Sequence, residues 1–379
     1  MKLTEIDLFP IEHVVPPEKA YGASRAIMAR RQTVLVRIRT DDGIEGWGEA
    51  LSAPVLVRAN FELLKPQFLG TDIHDRDVIF TRMLNRSYHL GLQNPLIASY
   101  SGLNVAMLDA LGKKYGVPAC RLIGGLSKPK LMAYASDGYV TRNPQPDLEA
   151  SLEFIRTLNL PAVKIKVGLG PKVDVERVKA VRRILGDDII LMVDANGNYT
   201  FDLAMESMRR IEPYNIHWYE EPLPPQDYRG YALLRQRGMM SVAGGESHHM
   251  AFDFLRLLEG GCIDVAQPDV CTVGGLDESR RIADLCRLHN VRVAPHIWGS
   301  GVGLATGIQF AASLPPHPHS EFEPVPTFVE YDVGDNRMRD GILKSPLRPN
   351  KDGWFEVGGA PGLGIDVDMA AVERMRCGQ

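Results

Sequence analysis

The sequence predicts an α/β protein built on a (β/α)₈-type barrel, with an α+β domain before the barrel and a further segment after it. Apolar runs alternate with helix-like stretches from about residue 126 onward, and six of these runs end in a charged or titratable residue. The six recur 23 to 28 residues apart, which is close to the length of one strand-plus-helix unit. They are Lys166, Asp194, Glu220, Glu246, Asp269 and His296. Because the strands of such a barrel end at one face, these side chains are expected to share one cleft.

Residues 1–125 are predicted to form the α+β domain, because strands come first and helices follow without alternation. The segments TEIDLFPIEHVV and TVLVRIRTDDGIEGWGEA have strand patterns, and Asp42 and Gly43 form the turn before a short third strand. Residues 55–115 have mostly helical periodicity, and Gly116 with Pro118 ends the last helix.

Residues 126–331 are predicted to form the barrel. Its eight strands are expected at 131–136, 163–167, 189–194, 216–219, 241–244, 263–267, 291–295 and 326–331. An open, doubly wound sheet is the alternative, but it would normally carry a glycine-rich fingerprint after its first strand, and this sequence has none there. Residues 332–379 are rich in glycine and proline, and we expect this segment to pack back on the first domain.

Composition narrows the class of protein and its partners. Of the 379 residues, 45% are hydrophobic and 24% are charged, and the net charge of −4 gives no reason to expect nucleic acid or an anionic membrane as partner. The five cysteines lack CxxC spacing, which indicates reduced thiols in a cytoplasmic protein. We see no signal-peptide pattern and no apolar run of ~18 residues. We therefore expect a cytoplasmic protein, and we expect it to be a homo-oligomer.

Three acids, Asp194, Glu220 and Glu246, end consecutive predicted strands at intervals of 26 residues. Each alone is more simply a surface acid at a strand end. Three at one barrel mouth would repel one another unless a cation held them, because burying unpaired charge is costly. Hard divalent cations such as Mg²⁺ take oxygen ligands and leave positions for water and substrate. The sequence therefore predicts a Mg²⁺ site formed by these three carboxylates.

Two lysines and an Asp–His pair accompany the acids. Lys164 and Lys166 lie two apart on one strand, so both ammonium groups are expected to enter the barrel. A nearby cation and a second lysine should lower the pKa of Lys166 toward that of a general base. Asp269 and His296 follow consecutive strands, where a carboxylate can fix the imidazole tautomer and leave the other ring nitrogen free to move protons.

Together these groups suit the removal of a proton next to a carboxylate in a small-molecule substrate. The cation and Lys164 would neutralise the charge that builds on the carboxylate oxygens. Lys166 would exchange a proton on one face of the substrate, and His296 on the other.

The motifs KIK, VDANGNY, YEEP, GGES, QPD and APH resemble those of the mandelate racemase subgroup of the enolase superfamily. The resemblance covers nearly the whole chain. It implies a modified TIM barrel with an N-terminal capping domain that the C-terminal segment completes. It assigns the Mg²⁺ ligands Asp194, Glu220 and Glu246, the substrate-neutralising Lys164, the base Lys166, and the acid/base dyad of Asp269 and His296.

Two further site residues are implied by the resemblance. Asn196 matches a polar residue near the substrate. The family also places an acid on the eighth strand, where Glu330 in FVEYD is the match and Glu321 and Glu323 are alternatives.

Within the subgroup, APHIWGSGVGLATGIQFAAS and PGLGIDVD are most similar to galactarolactone cycloisomerases and related acid-sugar enzymes. This implies loss of the α-proton and then of a β-oxygen, either as water in a dehydratase or as a ring oxygen in a cycloisomerase. Specificity is expected from the capping-domain loops at residues 21–25 and 51–54. The candidate substrate contacts are Tyr21, Ser24, His248, His249 and Trp298.

Two other functions stay open at this point. A racemase or epimerase of a 2-hydroxy acid would use Lys166 and His296 as opposed bases with no β-leaving group. A barrel that binds a sugar acid or a protein partner without catalysis would need neither base, so the presence of both argues against it.

Overall fold

The computed structural model describes residues 1–91 and 95–378. The first domain has a three-stranded antiparallel sheet in the order β1-β4-β5, with β2 and β3 as a separate hairpin. Its strands are β1 (Leu3–Val14), β2 (Tyr21–Ala23), β3 (Ala26–Met28), β4 (Arg30–Thr40) and β5 (Glu45–Ala50). Its α-helices are α1 (Pro54–Phe68), α2 (Arg76–Ser87), α3 (Leu96–Tyr115) and α4 (Cys120–Ile123). Short 3₁₀ turns cover Pro17–Lys19 and Tyr88–Leu90.

The sheet of the first domain is buried on both faces. On β4, Val34 and Val36 pack toward the helices, while the alternate residue Leu35 belongs to a second core shared with the barrel. Gly46 and Gly48 let α3 lie directly against β5, because a Cβ at either position would come within 2.0 Å of a carbonyl oxygen of that helix. The predicted turn is present, with Gly43 in the left-handed region at φ +82°.

The second domain is the predicted α/β barrel, and its eight parallel strands confirm the predicted fold class. They are β6 (Lys130–Asp137), β7 (Ala162–Lys166), β8 (Ile190–Asp194), β9 (Ile216–Glu220), β10 (Ser241–Gly244), β11 (Val265–Ala266), β12 (Arg292–Val293) and β13 (Phe328–Asp332). The helices are α5 (Pro144–Leu158), α6 (Pro171–Leu185), α7 (Phe201–Ile211), α8 (Tyr228–Arg237), α9 (Met250–Glu259), α10 (Gly275–Leu288) and α11 (Gly301–Ser313), with a 3₁₀ turn at Glu212–Tyr214.

The sheet curls in the order β12-β11-β10-β9-β8-β7-β6-β13, so the eighth strand pairs with the first. No ladder joins β12 to β13 in the part of the chain that the structure describes. The sheet is thus open there, where β11 and β12 are only two residues long. Helix α11, which follows β12, is buried along its whole length.

The interior of the barrel has an apolar floor. Each of the eight strand positions contributes one buried side chain to it: Tyr134, Ala162, Met192, Trp218, Ala243, Val265, Ala294 and Phe328. Tyr134, Trp218 and Phe328 meet edge to face, with ring centroids 5.6 to 6.3 Å apart. This layer closes the barrel beneath the strand ends.

The C-terminal segment contacts both domains. It contains α12 (Arg337–Asp340), β14 (Trp354–Glu356) and α13 (Met369–Arg374), and β14 pairs antiparallel with β6. Its end lies along β1, where an isolated bridge joins Ile11 to Arg376. None of the helices among the described residues is long and apolar enough to span a membrane.

Asp109 on α3 joins its own helix to β5 and to the C-terminal segment. Its carboxylate is fully buried and accepts hydrogen bonds from the backbone of Trp47 (2.8 Å) and Leu363 (2.8 Å) and from Lys113 Nζ (2.6 Å). The backbone donors of Trp47 and Leu363 belong to buried residues, so water cannot replace the carboxylate as their acceptor.

Asp109→Ala should therefore lower the free energy of unfolding by about 3–5 kcal/mol, because it strands buried donors and a cation. Urea unfolding followed by circular dichroism measures this. Glu176→Ala, which removes an exposed partner of Lys179 on α6, is the control and should change little. A loss for Asp109→Ala no larger than that of the control would contradict this role.

Candidate active site

The functional side chains lie one layer above the apolar floor. On a strand, residues two apart face the same side, so Lys164 follows Ala162, Asp194 follows Met192 and Glu220 follows Trp218. The same step leads from Val265 to Gln267 and from Phe328 to Glu330. The barrel geometry therefore places these polar groups together, directly above the apolar floor.

The three predicted metal ligands come together. Ligand oxygens of Asp194, Glu220 and Glu246 all lie within 4.8 Å of one another, and the first two residues are fully buried. Asn196, at φ +44°, donates its backbone N–H to Asp194 (2.7 Å) and its side-chain amide to Glu246 (3.4 Å). Gln267 Nε2 donates to Glu220 at 2.6 Å. The cluster is a set of oxygen donors close enough for one small cation to contact all three.

The two lysines reach this cluster from β7. Lys164 Nζ donates to Glu220 Oε1 at 2.5 Å and lies 2.8 Å from Glu330 Oε1, and Lys166 Nζ donates to Asp194 Oδ2 at 2.5 Å. Burial lowers the pKa of Lys166, but Asp194 together with Glu246 and Glu220 opposes this, so the groups of the protein alone raise the pKa. The predicted lowering assumes a cation beside Lys166, which these groups alone do not test, so it stays a prediction. The close pairing of Lys166 with Asp194 was not evident from the sequence.

His296 and Asp269 form the predicted pair. His296 Nδ1 lies 2.7 Å from Asp269 Oδ2, and its Nε2 lies 3.6 Å from Glu246 Oε2. Burial acts against the charged ring, but Glu246 and Asp269 raise the pKa of His296 to about 10. The imidazole is thus protonated at neutral pH, with Nε2 directed at the carboxylate cluster.

The acid on the eighth strand is Glu330 in this structure. It is buried, accepts hydrogen bonds from Ser136 Oγ (2.7 Å) and the backbone of Ile297 (2.9 Å), and has a lowered pKa because Lys164 and His296 outweigh its burial. The two alternatives lie elsewhere: Glu323 pairs with Lys128, and Glu321 is exposed.

The capping domain reaches the barrel mouth through the β2–β3 hairpin, where the sequence predicted only a loop. Gly22 pairs with Val140 after the first barrel strand, and Ser24 Oγ donates to the carbonyl of Ala195 at 2.7 Å. The hairpin is therefore attached beside Asp194, and the Ser24 hydroxyl is used for that attachment.

Tyr21 and Trp298 belong to a buried network that the sequence did not indicate. Arg31 of β4 pairs with Asp332 and with the Trp298 carbonyl, and its guanidinium lies 3.7 Å from the Trp298 ring centroid. It also donates to Tyr21 Oη at 3.3 Å. The partners are up to 301 residues apart, so no local pattern could have revealed them.

One acid and one amide beside the cluster were not predicted from the sequence. Glu221 is buried next to Glu220, and burial together with Glu246 and Asp194 raises its pKa well above the usual range. Only the acidic doublet in YEEP hinted at it. Gln267, in QPD, was passed over because an amide alone carries no metal or base signal.

The two histidines that follow Glu246 at positions 248 and 249 are both buried. His248 packs against the rings of Tyr228 and Phe254, at centroid distances of 5.9 and 6.2 Å. Its substrate contact stays a prediction that no described contact supports. His249 is buried with neither ring nitrogen hydrogen-bonded, and burial lowers its pKa to about 4.

Comparison with known families accounts for nearly the whole chain. The profile of the mandelate racemase/muconate lactonizing enzyme N-terminal domain matches residues 7–124, and that of the enolase C-terminal domain-like family matches residues 148–371. The chain belongs to the mandelate racemase/muconate lactonizing enzyme family. It is an enzyme of this family, whose curated relatives are named as dehydratases and cycloisomerases.

Two relatives within the family match over almost the full length. A D-galactarolactone cycloisomerase of Agrobacterium fabrum is 32% identical over 378 residues, 99% of each chain. An arabinonate dehydratase of Saccharolobus solfataricus is 29% identical over 91% of each chain. Among solved structures, the 3,6-anhydro-D-galactonate cycloisomerase from Zobellia galactanivorans matches with a TM-score of 0.88 and 30% identity, covering 100% of both chains.

Members of the mandelate racemase family use a divalent metal, and the acid cluster of this chain fits one. Asp194, Glu220 and Glu246 offer three carboxylates on adjacent strands. Burial raises the pKa of Glu220, and repulsion from Asp194, Glu330 and Glu246 adds to the rise although Lys164 opposes it. A cation shared by the three would relieve that repulsion.

His249 gives a pH prediction. Its folded pKa lies near 4 and its unfolded pKa near 6.5, so the unfolded chain binds the extra proton between these values. The contribution of His249 to stability is therefore lost as the pH falls from 6.5 to 4.

Between pH 6.5 and 4, the free energy of unfolding of the wild type should fall by about 2–3 kcal/mol more than that of His249→Gln. Denaturant unfolding at pH 7, 5.5 and 4 measures the difference, with His289→Gln, an exposed ring, as control. Parallel pH curves for His249→Gln and the wild type would contradict the prediction.

Proposed function

We propose that this enzyme removes the α-proton from the carboxylate of an acid sugar, or of its lactone, and then expels the β-oxygen. The observation that carries the proposal is that two proton-transfer groups, Lys166 and His296, reach one carboxylate cluster from the second and seventh strands. The named activities of the full-length relatives, acid-sugar dehydratases and cycloisomerases, support the same class of substrate.

The chain would hold Mg²⁺ through Asp194, Glu220 and Glu246. Bound there, the cation would neutralise charge on the substrate carboxylate and would offset the negative charge of Asp194, which favours the neutral form of Lys166 that a base requires. Lys164, buried between Glu220 and Glu330, supplies a second fixed positive charge at the same place.

Lys166 and His296 then have separate tasks. Lys166 takes the proton from Cα, and the electron pair of that C–H bond moves into the carboxylate to give an enediolate. The enediolate collapses to an enol as the Cβ–O bond breaks. His296 gives its Nε2 proton to the departing oxygen, because Asp269 lies against Nδ1 and stabilises the protonated ring. Tautomerisation of the enol yields a 3-deoxy-2-keto acid.

A panel of aldonic acids, aldaric acids and their lactones, incubated with Mg²⁺ in D₂O and followed by ¹H NMR, tests the proposal. We expect a 3-deoxy-2-keto acid with deuterium at C3 from at least one member. The presence of two bases also suits a racemase, which would give deuterium at Cα of recovered or inverted substrate and no keto acid. That outcome, or the absence of both turnover and exchange, would overturn the elimination reaction.

His296→Asn should lower kcat by about 10²-fold or more, because it removes the proton donor for the leaving oxygen. Its affinity for Mg²⁺ should stay close to that of the wild type. His319→Asn, an exposed ring, is the control. Turnover by His296→Asn at the wild-type rate would remove His296 from the reaction.

Glu220→Gln should weaken Mg²⁺ binding by about tenfold or more and reduce activity in parallel, since it removes one charge from the ligand set. Titration calorimetry and steady-state rates measure the two effects. Glu323→Gln, which alters the pair with Lys128 outside the cluster, is the control. Full activity of wild-type enzyme in excess EDTA would contradict the metal role.

A further inference from the structure

Glu49, the penultimate residue of β5, is a fully buried carboxylate outside the reacting cluster. It crosses from the capping domain to the residues that follow the seventh barrel strand. Its oxygens accept hydrogen bonds from Ser300 Oγ (2.5 Å), Ser300 N (3.0 and 3.1 Å), Gly303 N (2.8 Å) and Thr33 Oγ1 (2.8 Å). Every partner is a donor, so the site is built for an anion.

The location of Glu49 suits that charge. Ser300 is the N-cap of α11, and free backbone N–H groups at a helix N-terminus favour an adjacent carboxylate. Gly299 and Gly303 leave the space that it needs, because a Cβ there would lie 2.1 Å and 2.9 Å from its oxygens. The capping domain therefore supplies the carboxylate, and the barrel supplies both the donors and the space for it.

The residues that Glu49 holds lead directly from His296. Only three residues separate His296 from Ser300, and Trp298 between them is fixed by Arg31, another capping-domain side chain. Two residues after Glu49, the backbone of Leu51 donates to the carbonyl of Cys271 at 3.2 Å. Cys271 in turn donates its N–H to Asp269 at 2.7 Å. One strand end of the capping domain thus touches the segments that follow both members of the dyad.

Lys166 is supported differently. Arg177 of α6 donates to the Lys166 carbonyl at 2.7 Å and to carbonyls after the first barrel strand. Lys166 pairs with Asp194 of the next strand. These supports come from the barrel itself.

We propose that Glu49 is a positioning residue for His296: it fixes the segment after β12 so that the imidazole stays on Asp269 and faces the carboxylate cluster. The inference rests on the proposed role of His296 as proton donor. Because the support of Lys166 lies within the barrel, loss of Glu49 should impair the His296 step and spare the Lys166 step.

Glu49→Gln tests this. Glutamine keeps the size of the side chain but removes its negative charge from the N-terminus of α11. If the amide oxygen takes the Oε2 position, the NH₂ group still lies against the N–H of Ser300, 3.0 Å from the present Oε1, where two donors face each other. We expect formation of keto acid to fall about tenfold or more, while α-proton exchange by Lys166 in D₂O and Mg²⁺ affinity stay within about twofold. The control is Glu45→Gln, on the same strand as Glu49, which alters an exposed pair with Arg39 of β4 and should match the wild type.

Gly303→Ala keeps the Glu49 carboxylate and presses a methyl group against it, so it should cause a smaller loss in the same direction. This variant guards against a Glu49→Gln protein that does not fold. Wild-type keto-acid formation in both variants would overturn the proposal. Elimination and exchange that fall together would also overturn it, because that is the signature of general damage.

A substrate-free measurement separates this inference from the proposed function. In ¹⁵N-histidine-labelled protein, the Nδ1 proton of His296 is assigned by its loss in His296→Asn. We expect its resonance to shift or broaden in Glu49→Gln and Gly303→Ala and to stay unchanged in Glu45→Gln. If wild-type enzyme turns over no acid sugar, the proposed function fails while this resonance still decides the role of Glu49. An unchanged resonance in both variants would contradict the positioning role of Glu49.

Discussion

The site depends on one constraint: several carboxylates lie close together above the apolar floor of the barrel. Four carboxylates face three positively charged groups in a nearly buried space; the acids are Asp194, Glu220, Glu246 and Glu330, and the cations are Lys164, Lys166 and His296. Carboxylates so close and so far from water stay ionised only if positive charge is beside each of them. A cation bound among Asp194, Glu220 and Glu246 would take over part of that task.

This constraint is consistent with the way the site is enclosed by both domains. The apolar floor lies below the charged groups, and the capping domain contacts the barrel mouth above them through the β2–β3 hairpin, Arg31 and Glu49. Exclusion of water strengthens the attraction of the ion pairs and also makes an unpaired group costly. The two domains therefore share one buried core around α11, and the reacting groups sit at the boundary between them.

Much of this arrangement could be predicted from the sequence, because a parallel barrel converts regular spacing along the chain into proximity at one face. The regular spacing of the strand-end residues predicted the eight strands, the cluster of acids and the contact between Asp269 and His296. Resemblance to the family then supplied Glu330 and Asn196, whose own neighbourhoods carry no periodic signal.

The remaining features depend on contacts between distant segments. Arg31 and Asp332 are 301 residues apart and Glu49 and Ser300 are 251 apart, so neither pairing leaves a local pattern. The β2–β3 hairpin leaves no strand pattern in the sequence, because each of its strands has only three residues. The raised pKa of Lys166 follows from a 2.5 Å contact with Asp194, a distance that strand register alone does not fix.

The central claim is that Asp194, Glu220 and Glu246 share one divalent cation between Lys166 and His296. A crystal structure of Mn²⁺-soaked protein, with anomalous diffraction, tests it most directly. The account predicts one strong anomalous peak within about 2.0–2.4 Å of an oxygen of each acid, with Lys166 Nζ and His296 Nε2 on different sides of it. A peak bound by fewer than two of these acids, or an imidazole turned away from it, would contradict the account.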